Sequence, residues 1–125
     1  VYAMQGIDRV RRVSELVRRQ VSHFILRELA DEGLGIISVT AVDMSRDLLQ
    51  ATVYVSSFAR DSDIDNILTV LEENVPAVRH DLAQSLHLRR VPNLTFRYDE
   101  SVERARRLTT MIDELELDRN MDDGT

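Results

Sequence analysis

The chain contains no cysteine, so disulfides and thiolate metal sites are excluded. A zinc site would need histidine and carboxylates, and only His23, His80 and His87 are available. His80 and His87 are seven residues apart and can share a helix face, but arginines surround them, and no metal is expected. No apolar run approaches the roughly 18 residues that span a membrane. Val1 to Gly6 show no basic stretch leading into an apolar one, so a secretory signal is not expected. Met4 is a candidate start residue, and the cytoplasm is the default compartment. There is no glycine-rich phosphate loop and no nucleophile elbow. Glu72-Glu73 and Asp99-Glu100 are adjacent acids, and sequence neighbours point in different directions. Nothing supports an enzyme or a cofactor.

Lysine is absent too: all sixteen basic residues are arginine. Arginine binds phosphate bidentately and stacks on bases, although codon preference is the plainer source of the bias. The distribution says more. Residues 1–30 and 79–107 each carry a local charge of +3, residues 31–78 carry −7 and residues 108–125 carry −5. The whole-chain value of −6 therefore hides two basic segments.

At 125 residues and 43% hydrophobic, the chain can build one domain with a real core. That domain is expected over residues 7–117, with 1–6 and 118–125 as flexible termini. From Ile7 to Ala30, apolar residues at Val10, Val13, Leu16, Val17, Val21, Phe24, Ile25 and Leu29 form a helical stripe. Gly33 and Gly35 end it. Ile36 to Met44 and Thr52 to Val55 are rich in β-branched residues, and Ser45-Arg46-Asp47-Leu48 joins them as a hairpin. Residues 61–72 nearly match a calcium loop, but Asn66 stands where glycine is needed. An acid-rich helix start is the better reading. Residues 62–88 read as helix, kink, helix, with Pro76 setting the kink and Asn74, a frequent helix breaker, just before it.

Leu88 to Ser101 is the densest stretch. Arg89 and Arg90 close a helix, where cations suit the dipole, and Pro92 stops it. Leu94, Phe96 and Tyr98 then alternate with polar residues as a half-buried strand. Ser101 is placed to cap the next helix. That helix, from Val102, sets Ala105, Leu108, Ile112 and Leu115 on one face. Acids in its last turn oppose the dipole, so it is expected to be marginal.

The order is α-β-β-α-kink-α-β plus a tail helix. A strand reached through a helical crossover should run parallel to its neighbour. The predicted fold is a two-layer α+β domain, K-homology-like, in the type II order. Modules of that type clamp a nucleotide backbone.

Several segments then resemble one known family. Arg12-Val13-Ser14-Glu15-Leu16-Val17-Arg18-Arg19 is similar to its opening helix, and Asp31 through Thr40 to its turn into the first strand. Ser45 to Leu48 with Ala51 to Ser56 resembles its hairpin. Leu88 through Ser101 is similar to its most recognisable segment. The family is ribosome-binding factor A, and the resemblance covers about residues 7–115. It implies a K-homology-like fold lacking the usual glycine loop. Where the family has a small residue, any residue and glycine at its kink, this chain has Asn74-Val75-Pro76-Ala77.

The resemblance further implies a non-catalytic factor that binds the immature small ribosomal subunit and its ribosomal RNA. It would assist maturation of the RNA 5′ end, and the family is associated with growth in the cold. The candidate RNA contacts are Arg12, Arg18, Arg19, Arg46, Arg79, Arg89 and Arg90, with the kink residues beside them. A monomer is expected, with no membrane or small-molecule partner. The alternative is an interaction module whose acidic middle and tail bind a basic ribosomal protein.

Overall fold

A computed structural model describes residues 2–57, 63–101, 108–109 and 111–117. The predicted start of the tail helix at Val102, Ala105 within it, Asp61 and Ser62, and the tail from Asp118 to Thr125 lie outside the described residues.

Helix α1 (Tyr2–Glu28) opens the fold and passes through a 3₁₀ turn (Ala30–Glu32) into strand β1 (Ile37–Met44). Strand β2 (Gln50–Ser57), helix α2 (Ile64–Glu73), helix α3 (Val75–Leu86) and strand β3 (Asn93–Tyr98) follow. Helix α1 begins at Tyr2 rather than Ile7, so residues expected to be a flexible terminus are helical. Ala3, Met4 and Gln5 are strong helix formers and extend it without needing an apolar stripe. Val17, Val21, Phe24 and Ile25 are the buried face of α1, and Leu29 just beyond its end is buried with them. Gly33 (φ 70°) and Gly35 (φ 74°) take the left-handed backbone that turns the chain into β1.

The sheet order is β1-β2-β3. β1 pairs antiparallel with β2, and β2 pairs parallel with β3, as a helical crossover requires. Ala51 and Val53 lie opposite Leu94 and Phe96, and all four are buried. They meet Ile67 and Leu71 of α2 and Val78 and Leu82 of α3 in one core. Alternation sends Thr52, Tyr54, Thr95 and Arg97 to the other face, which no helix among the described residues covers. The result is a two-layer α+β domain. No helix among the described residues is long and apolar enough to cross a membrane.

Three polar devices finish the sheet. The register shifts between Val39 and Ala41, which leaves Thr40 in a bulge. Its hydroxyl donates to the Asp99 carboxylate at 2.6 Å, tying β1 to the end of β3. On the outer edge of β3, the Phe96 N–H donates to Glu72 Oε1 of α2 at 3.0 Å. At the start of α2, Asp63 accepts the Asn66 N–H at 3.1 Å, so this acid of the calcium-loop near-match is a helix cap.

Ser101, expected just before the tail helix, is itself helical, and its N–H donates to Asp99 Oδ1 at 2.9 Å. Hydrogen bonds from Ser101 and then Thr40 hold the Asp99 carboxyl below its ordinary range. A depressed carboxyl stabilises the fold fully above its unfolded pKa of about 3.9 and loses that contribution as pH falls through the folded value. Asp99→Asn should therefore lower the urea midpoint at neutral pH. The difference from the unmodified protein should shrink on acidification below about pH 4. A gap that stays constant with pH would mean the carboxylate charge contributes nothing.

Candidate nucleic-acid interface

The site begins where α3 ends. His87 adopts the left-handed conformation (φ 52°) directly after Leu86. Arg89 and Arg90 consequently lie beyond the helix, not in its last turn as the sequence reading had them. Both are exposed, while Pro92 behind them is buried. Arg79 of α3 fixes this corner. Its Nε donates to the Pro92 carbonyl and its Nη2 to the Val91 carbonyl, each at 3.1 Å. Arg79, expected among the RNA contacts, therefore holds backbone here. Sequence reasoning had no means to pair it with carbonyls a dozen residues on.

The β1–β2 turn stands next to the corner, because the Asn93 N–H donates to the Leu49 carbonyl at 2.8 Å. Leu48 (φ 63°) makes the tight bend. Asp47 accepts the Ser45 hydroxyl at 2.6 Å and the Leu49 N–H at 3.0 Å, and these bonds lower its carboxyl pKa. Arg46 is exposed at the tip.

Helix α1 brings the third group. Gln20 donates to Asp81 (2.9 Å) and Ser85 (3.2 Å), and Arg27 donates to Asp81 (3.3 Å). The later α1 residue thus meets only the earlier α3 residue, so the two helices run antiparallel. The first half of α1 lies toward the α3 end that carries Arg89 and Arg90. Arg12 is exposed there, with Arg9 and Arg11 beside it. Those two were missing from the candidate set, although the run Arg9-Val10-Arg11-Arg12 lies mostly off the apolar stripe. Arg18 binds Glu15 through Nε (3.1 Å) and through a second, closer contact from Nη2. Arg19 reaches the same carboxylate at 3.6 Å. The Arg18 hydrogen bond is the main reason the Glu15 carboxyl is lowered. These pairs are solvent-exposed and weak. Arg12, Arg46, Arg89 and Arg90 have no ion pair among the described residues.

The interhelical break is elsewhere. Asn74 ends α2: its N–H bonds the Val70 and Leu71 carbonyls (3.2 and 3.1 Å), and its side-chain amide donates to the Val70 carbonyl at 2.8 Å. Its own carbonyl accepts the Val78 N–H of α3 at 2.9 Å. Pro76 occupies the first turn of α3, where a missing N–H costs little. The break therefore belongs to Asn74 as much as to Pro76. Asn74 is separated from Arg89 and Arg90 by the whole of α3, about 18 Å of helix, and Val75, Pro76 and Ala77 are the first turn of that helix. The structure gathers the arginines and leaves the break apart from them.

A three-stranded mixed sheet, helices on one face and a cationic end where two loops meet a helix define a K-homology-like domain. Residues 9–112 match the family model for ribosome-binding factor A. The chain belongs to the ribosome-binding factor A family. A ribosome-binding factor A from Nitrosococcus oceani is 37% identical, covering 97% of this chain and 98% of its own length. One from Microcystis aeruginosa is 38% identical, covering 96% and 95%. The crystal structure of the Thermus thermophilus protein aligns with a TM-score of 0.62 at 26% identity, over 71% of this chain and 94% of that one. A homology model of that Thermus thermophilus protein, fitted into a cryo-electron microscopy map of its complex with the 30S subunit, aligns with a TM-score of 0.61. It is 26% identical over 70% of this chain and 91% of that one.

Because Arg79 satisfies two backbone carbonyls with charge-assisted bonds, Arg79→Ala should cost about 1–3 kcal/mol. Hydrogen exchange should quicken at residues 87–93 more than in β1. Uniform loosening, or none, would show that the corner holds without the guanidinium.

Proposed function

We propose that this protein is a non-catalytic assembly factor that binds the immature small ribosomal subunit and assists maturation of the 5′ end of its ribosomal RNA. The observation that carries this reading is the convergence of Arg12, Arg46, Arg89 and Arg90 at one end of the domain. They come from three separate parts of the chain and have no ion pair among the described residues. Exposed guanidiniums on fixed loops contact phosphate and set the register of a bound RNA without reading its bases. Arg18 and Arg19 add charge at the edge, and Arg79 positions the corner. The relative placed in a 30S map supports the choice of partner.

The action is by population shift. A protein that grips one arrangement of an RNA junction more tightly than another raises that arrangement's share. Cleavage of the RNA would fall to a separate nuclease. The protein acts as a monomer and needs no cofactor.

An acidic depression lined by Asp65, Leu68, Thr69, Glu72 and Glu73 on α2 favours a second reading. It suits a basic ribosomal protein, and the two readings make different predictions for charge reversal.

Arg89→Glu with Arg90→Glu should leave the circular dichroism spectrum unchanged and remove the protein from the small-subunit fractions of a sucrose gradient. With about four phosphate contacts, the logarithm of affinity for single-stranded RNA should fall against that of salt with a slope of roughly −3, and less steeply in the double variant. Retained co-sedimentation by the folded variant would reject the arginine end as the binding surface. Loss on reversing the α2 acids instead would favour the protein partner.

A further inference from the structure

The tail helix presents an apolar face that no described residue covers. Leu108, Ile112 and Leu115 are 59%, 53% and 66% exposed and spaced four and three apart, so they share one side. Asp113, Glu114 and Glu116 crowd the second half of the same segment, with no cation between 108 and 117. Acids there oppose the helix dipole, so this helix gains doubly from a cationic partner.

The outer side of α1 is its complement. Arg12, Leu16, Arg19, His23 and Leu26 follow at intervals of four, three, four and three, which makes a single seam. Leu16 is 40% exposed and Leu26 62%. Large apolar side chains open to water on a helix otherwise carrying charge are places for another helix to pack. Arg12 and Arg19 flank the Leu16 end of the seam, and Arg11 borders it in the open depression that contains Leu16.

Chain direction matches the two faces in one sense only. The Asp99–Thr40 bond places the end of β3 beside the first half of β1, which is the end where α1 finishes. A tail leaving that end would meet the seam from Leu26 and travel toward Leu16. In that antiparallel sense Leu108 falls near Leu26, and Leu115 and Leu117 fall near Leu16. Asp113, Glu114 and Glu116 then fall opposite Val21, Gln20 and Arg18, so the acids arrive over Arg19. Leu16 and Leu26 are about 15 Å apart along α1, and Leu108 and Leu117 about 13.5 Å along the tail helix. The nine residues 99–107 reach at most about 30 Å when extended, ample for the passage. The parallel sense would carry the acids past His23 toward Leu26, away from Arg19.

We propose that residues 108–117 dock antiparallel on the outer face of α1 and cover part of its arginine surface, so that the tail competes with RNA for Arg19. Docking stands on the two faces alone; its consequence for RNA rests on the reading under Proposed function. Exposed ion pairs are weak, so the leucines supply the larger share and the acids set direction. A domain docked about 90% of the time would bind RNA about tenfold more weakly than one with a free α1.

The native chain has no cysteine, so an introduced pair reports one contact. The full-length Leu26→Cys/Leu108→Cys protein should form an intramolecular disulfide under mild oxidation. Thr95→Cys/Leu108→Cys, on the uncovered sheet face, should not. Separately, Leu108→Gln with Ile112→Gln and Leu115→Gln, which keeps the charge, should raise affinity for a fluorescent oligouridylate by up to about tenfold. An intermolecular disulfide, equal crosslinking of both pairs, or no crosslink overturns docking within the chain. Unchanged affinity of the triple variant overturns the competition. Failure of the RNA reading itself would appear as oligouridylate binding indifferent to Arg89→Glu/Arg90→Glu, whichever way the crosslink falls.

Discussion

The parallel pairing of β2 with β3 is the constraint on which the arrangement rests. Two parallel strands cannot be joined by a tight turn, so the chain must cross the sheet, and here α2 and α3 make that crossing. Because both strands start at the same end, the loops entering them are neighbours. One loop carries Arg46 and the other Arg89 and Arg90. An antiparallel β3 would have put the two loops at opposite ends and divided the cations. The antiparallel packing of α1 on α3 then brings the arginine-rich start of the chain to the same place.

Burial on one face of the sheet keeps this geometry rigid. Val53 and Val55 of the central strand and Leu71 and Leu82 of the covering helices are fully buried. Backbone that enters a loop from such a core has little freedom near the anchor. The remaining freedom of the corner is removed by polar bonds: Arg79 to two carbonyls, and Asn93 to Leu49. Two arginines held on a fixed corner lose less entropy on meeting phosphate than two on a mobile tail. A chain whose net charge is negative can in this way offer a local cationic surface.

Elements that depend on periodicity were legible from sequence. The stripe from Val10 to Leu29 and the alternation of Leu94, Phe96 and Tyr98 are one-dimensional signals of burial. The order of elements was enough for the sheet pairing and the fold class. What escaped was decided by single dihedrals or by bonds between distant residues. Nothing in the local pattern marks His87 as left-handed, so Arg89 and Arg90 were read as helical. Arg79 looked like any exposed arginine until its carbonyl partners were in place. Asn74 was legible as a helix breaker beside Pro76, but the side-chain amide bond by which it closes α2 leaves no compositional trace. The break and the corner are close in sequence, but only the length of α3 between them shows that they lie apart.

Glu72 on the edge of β3 has a consequence beyond the fold of one molecule. A free edge strand is an invitation for another chain to add itself, and an array of such additions is how sheets grow into aggregates. At Phe96 the donor that a newcomer would use is already taken by a carboxylate. An arriving strand would have to displace that acid and bury its charge without a counterion, a costly exchange in a dry interface. The same side chain that fastens α2 to the sheet therefore acts as a guard on colloidal behaviour. On the β3 edge it works against pairing with a strand from another copy.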